Sequence, residues 1–186
     1  MPATPHPDQP MFFTGDVCRA VGIEQSTLKN WITRGAILMS DDDRKRFGVD
    51  GPSHERLASG SGRSHLFTLR RVVQIALTAE LVALGLPPLR AAMLALGFTD
   101  VGDGGGGWVG EPIELGRLPG QLYKDGLTLL VAYPEEESSH VINVDPKTPL
   151  YEVLFRGARQ HKALLLVNVA DVCSRVSTAL DVVYPT

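Results

Sequence analysis

"GIEQSTLKNWITRGAI", residues 22–37, sets three apolar side chains at regular spacing inside a polar run. Leu28, Trp31 and Ile32 recur at i, i+3 and i+4, which puts them on one face of a helix starting near Gln25. Gln25, Ser26, Lys29, Asn30 and Thr33 fall on the other faces, and Arg34 and Gly35 close the segment. Gly22 tolerates the left-handed conformation that ends a helix. The helix before it has Thr14 as N-cap, Asp16 in its first turn, and Val17, Ala20 and Val21 on one apolar side. Two short helices around a tight glycine-containing turn form a helix-turn-helix pattern.

Downstream, Ser40 to Gly62 contains "DDDRKR", "DGP" and "SGSG", a loop composition. "RSHLFTL", from Arg63 to Leu69, alternates as a short strand and predicts a hairpin or wing with a large tip. Thr68 caps a third helix, Leu69 to Leu84, which is apolar on most sides and therefore buried. Gly85 stops it, and Pro87 and Pro88 suit the first turn of a fourth helix ending near Leu96. "DVGDGGGGWVG" formally holds GxGxxG at Gly102, Gly104 and Gly107. A dinucleotide fingerprint needs a strand before it and a helix after it. The following "WVGEPIELGRLPG" is no helix, so the run reads as a linker.

The last third changes character. "LTLLVAY" (Leu127–Tyr133) and "HVINV" (His140–Val144) flank an acidic turn and read as an antiparallel pair. A helix from Pro149, a buried strand at Ala163–Val169 and a final helix with Val172, Val176, Ala179 and Leu180 on one face complete a small α/β unit with its own core. The expected class is α+β. Its expected parts are a disordered tail at 1–10, a helix-turn-helix domain at 11–98, a glycine-rich linker at 99–120 and an α/β domain at 121–186.

The formal charge of −3 hides an asymmetry: residues 11–98 are net +3 and the rest net −6. A basic half carrying a helix-turn-helix pattern points to nucleic acid. Cys18 and Cys173 form no disulfide framework, and neither they nor the five histidines show metal spacing. No apolar run approaches the roughly 18 residues of a membrane span, and the N-terminus lacks an apolar signal core. A cytoplasmic location with no cofactor follows as the expectation. No nucleophile sits beside a recognisable base, so catalysis is not expected.

The N-terminal half resembles the winged helix-turn-helix domain of MerR-type transcription regulators. The matching pieces occur in family order: Thr14-Gly15-Asp16-Val17, Gly22-Ile23, Ser26 to Trp31, Gly35, Gly62-Arg63, Phe67-Thr68-Leu69 and "LVALGLP". Excisionases and small phage packaging subunits share this domain. The chain departs from the regulators in a long insertion in the wing and in Glu24, where a short polar cap is usual. It also lacks the long coiled-coil dimerisation helix, whose place the α/β unit takes.

The expectation is a homodimeric regulator bound to a pseudo-palindromic site on double-stranded DNA. Gln25, Ser26, Thr27, Lys29 and Asn30 supply donors to base edges or phosphate, with Arg19 and Arg34 on the same surface. Arg63 and His65 sit where a wing touches the backbone. Arg44, Lys45 and Arg46 either add phosphate contacts or balance Asp41–Asp43. Trp31 belongs to the core stripe. The α/β unit is left with dimerisation, a small-molecule effector, or a protein contact such as RNA polymerase. The alternatives are a phage-type DNA adaptor, either an excisionase or a packaging recognition subunit, and a protein-interaction module with a degenerate helix-turn-helix.

Overall fold

The computed structural model describes residues 6–49, 51–57, 65–102, 117–133, 135–155 and 163–184. A two-residue strand, β1 (Phe12–Phe13), turns directly into α1 (Thr14–Val21). The N-cap is Phe13 rather than Thr14, and Asp16 does the capping: its carboxylate accepts the Phe13 amide at 3.2 Å. Gly22, at φ +76°, terminates α1 in the left-handed region and lets the chain turn within three residues into α2 (Gln25–Thr33).

The segment expected to be a loop contains a helix, α3 (Asp41–Arg46). The reason lies in the order of its charges. Ser40 caps it, accepting the Asp43 amide at 3.1 Å. Asp41, Asp42 and Asp43 occupy the first turn, and Arg44, Lys45 and Arg46 the last. Acids at the N-terminus and bases at the C-terminus both complement the helix dipole.

Two short strands follow, β2 (Arg56–Leu57) and β3 (His65–Phe67). They form an antiparallel sheet in the order β1-β3-β2, with Phe12 opposite Phe67 and Arg56 opposite Leu66. The expected tip of this hairpin, including Arg63, lies outside the described residues, as does most of the expected glycine-rich linker. Thr68 caps α4 (Leu69–Ala83) as expected, accepting the Arg71 amide at 3.1 Å. After Gly85 comes α5 (Pro88–Thr99).

The C-terminal third forms a second antiparallel sheet, in the order β5-β4-β6. Its strands are β4 (Leu127–Ala132), β5 (Ser139–Val144) and β6 (Leu165–Asn168). Two helices accompany it, α6 (Leu150–Phe155) and α7 (Val169–Leu180). Mixed α+β architecture is thus the class of the chain.

The C-terminal unit does not have a core of its own. Helix α7 packs on α1 and α4, and α5 packs on β4 and β5. One continuous buried cluster runs from Phe12, Val17 and Trp31 through α4 and α5 to Leu130, Val167, Val172 and Val176. Helix α4 explains this: it is apolar around most of its circumference, so it needs partners on several sides. Nor are residues 6–10 a free tail. The Arg70 amide donates to the Pro7 carbonyl at 3.2 Å, and Asp8 pairs with Arg70 at 2.8 Å. No helix among the described residues is long and apolar enough to cross a membrane.

Candidate nucleic-acid interface

Helix α2 is held by Leu28 and Trp31, which are buried. That anchorage turns Gln25, Ser26, Lys29, Asn30 and Thr33 outward, and all five are exposed, while Thr27 is half-buried. Beside the helix lies β3. Gln25, Ser26, Lys29 and His65 line one open cleft of about 460 Å³, joined by Thr14, Ile32 and Thr33. The structure therefore gathers four sequence-predicted residues, from α2 and the sheet, around a single concavity. Thr14 and Thr33 were not among the expected site residues. Thr14 reads as a cap in the sequence, and only the fold places it across from Gln25. Ile32 has one edge in the core and one in the cleft.

Charges around this face are partly balanced. Arg19 is exposed but bonded to Asp16 at 2.7 Å. The Ser26 hydroxyl donates to the Glu24 carboxylate at 3.1 Å, so one acid sits at the start of α2. At the other end, Arg34 is the exposed C-cap residue, followed by Gly35 at φ +68°. The Arg46 guanidinium lies against Gly35: a Cβ there would stand 2.9 Å from its Nη1. Lys45 and Arg46 are exposed, and Arg46 also stacks over the Phe47 ring at 5.8 Å. Arg34 and Arg46 thus make a basic edge at the C-terminal end of α2.

Arg44 departs from its expected place. It is buried, pairing with Asp100 at 2.9 Å and donating from Nε to the Gly51 carbonyl at 2.9 Å. It cannot reach a phosphate without leaving that pair, so it drops out of the candidate surface. Asp100 also takes Arg71 at 3.2 Å and the Thr99 hydroxyl at 2.7 Å. Arg71 continues to Gln74 at 2.7 Å and to Glu55 at 3.4 Å, whose carboxylate accepts Thr68 at 2.7 Å. Burial alone would raise the Asp100 carboxyl, but Arg71, Thr99 and Arg44 together hold it below the usual carboxylate range. Burial opposes the Arg71 charge in the same way, and Asp100 and Glu55 outweigh it. This network ties α3 and Glu55, the residue just before β2, to the start of α4 and the end of α5. Its one sequence signal is the pair Arg70-Arg71 at the head of an apolar helix.

Both cysteines are buried and free. Burial raises the Cys18 thiol, and it pushes Cys173 up to about 12 against a smaller effect of its hydrogen bond to Tyr184. Neither is thiolate at neutral pH, and thiolate is the reactive form. The chain matches no protein-family model and no curated protein sequence.

Proposed function

We propose that the protein is a DNA-binding transcription regulator whose α1–α2 pair acts as a helix-turn-helix and whose β2–β3 hairpin acts as a wing. The observation that carries this reading is the cleft shared by Gln25, Ser26, Lys29 and His65. A recognition helix needs an apolar stripe for anchorage and an opposite face of short polar and basic side chains. Helix α2 has both, in one register. Gln25 and Asn30 are amide side chains of the kind that pair bidentately with adenine, and Lys29 suits guanine or phosphate. Arg34, Lys45 and Arg46 continue the positive potential beyond the helix. Binding is proposed as a homodimer, with half-sites about 34 Å apart, one turn of the duplex. The reading is of a binding protein, without cofactor or catalysis.

Fluorescence anisotropy on a labelled duplex tests it. Affinity should fall steeply between low and physiological salt, because each phosphate contact releases a counterion and adds about 0.9 to the log–log slope. No binding, or binding with a flat salt response, rejects the proposal.

A second reading, a protein-interaction module, has one observation in its favour. The Glu24–Ser26 pair sets a carboxylate at the N-terminal end of α2, where phosphate would otherwise be welcome. Capture of no sequence from a random duplex pool would favour this reading.

A further inference from the structure

One acid stands at the edge of the proposed DNA face. Glu24 holds the N-cap position of α2, yet its side chain makes no hydrogen bond to the amides of the first turn. A short capping side chain folds back onto those amides. The longer Glu24 side chain is exposed instead. Its Oε2 accepts the Ser26 hydroxyl at 3.1 Å, and Ser26 lines the cleft together with Gln25 and Lys29. That bond draws the carboxylate toward the cleft side of the helix. Among the described residues no cation stands within ion-pair distance of it. A carboxylate has about four lone-pair positions, so acceptor capacity is left for a donor outside the chain.

Such a carboxylate opposes the phosphate backbone of any duplex, whatever its sequence. What it gains is discrimination, because specificity is a difference of affinities to which a repulsive group contributes. Residues at the N-terminal end of a recognition helix are the ones that meet base edges. On the major-groove edge guanine offers two acceptors, thymine an acceptor and a methyl group, and adenine a donor beside an acceptor. Cytosine alone offers a donor without an acceptor. An acceptor-only side chain matches that edge and is opposed, in part or wholly, by the other three.

We propose that Glu24, in the DNA complex on which this assignment rests, is a specificity-determining residue whose carboxylate accepts a hydrogen bond from the N4 amino group of one cytosine in each half-site.

The test uses the full chain and its Glu24→Gln variant, each selecting sites from the same random duplex pool. Fluorescence anisotropy at fixed salt then gives the Kd of the selected duplex and of its single-base-pair variants. Glutamine keeps the length of the side chain and removes its charge, and at this exposed position the melting temperature should not change. The wild-type protein should demand C·G at one position per half-site, and lose roughly tenfold or more in affinity when that pair becomes T·A. Glu24→Gln should lose that demand, keep the preferences at other positions, and bind random-sequence duplex severalfold tighter. A Glu24→Gln variant that binds every duplex tighter with the C·G demand intact overturns the assignment while DNA binding stands. So does a wild-type site in which no position demands C·G. Capture of no duplex by the wild-type protein overturns the DNA reading and the assignment together.

Discussion

Asp100 is the residue on which most of the buried charge converges, because two arginines and a threonine share its carboxylate. Removing one partner of a buried pair leaves uncompensated charge and costs about 3–5 kcal/mol. Asp100→Asn should therefore lower stability by about that much in urea unfolding. The pH response follows from the direction of its shift. A carboxyl held below its unfolded value contributes fully above the ordinary carboxylate range, and loses that contribution as pH falls through the folded value. The wild-type melting temperature should thus drop steeply below about pH 4, and the Asp100→Asn profile should be flatter there. At this scale the sequence was partly misleading. Arg44, Lys45 and Arg46 are adjacent bases, yet Arg44 turns inward to Asp100, 56 residues away, while its neighbours stay exposed. A single run of letters does not tell which of three cations finds a distant carboxylate.

Elements were more legible where a local rule fixed them. The Leu28, Trp31, Ile32 stripe located α2, and Thr68 and Gly85 bounded α4, because periodicity, caps and left-handed glycines act over a few residues. Helix α3 escaped because its polar letters resemble a loop, although their order suits a helix. Strand β1 escaped because two residues carry no alternation; β1 exists through pairing with β3. The α5–β5 contact was likewise invisible. There Gly97 meets Ser139, whose hydroxyl donates to the Leu94 carbonyl at 2.6 Å. A Cβ on Gly97 would collide with that Oγ and stand 3.3 Å from the Ser139 carbonyl. Gly97→Ala should cost about 1–3 kcal/mol through overpacking. Adding Ser139→Ala should relieve part of that cost, so a double-mutant cycle in urea should show coupling rather than additivity.

At the scale of the whole molecule, the two halves share one core. Val17 and Trp31 belong to the same buried cluster as Val172 and Val176. Composition and the glycine-rich run suggested a division near residue 100, but composition is silent on what covers α4. A fragment ending at Gly102 loses α7 from both α1 and α4. It should bind a hydrophobic dye and melt without cooperativity, whereas the full chain should unfold in one transition. The proposed DNA face depends on that shared core, since α1 and α2 are positioned by it. The most direct measurement is a comparison of the full chain and Lys29→Ala on one duplex, selected by the wild-type protein from a random pool. Lys29 is exposed on α2 and lines the cleft, so its loss should leave the melting temperature unchanged. If α2 is the DNA-reading face, Lys29→Ala loses affinity roughly tenfold or more, equivalent to about 1.4 kcal/mol, with a shallower salt slope. Equal affinity of the two proteins for that duplex, with both folded, would contradict it.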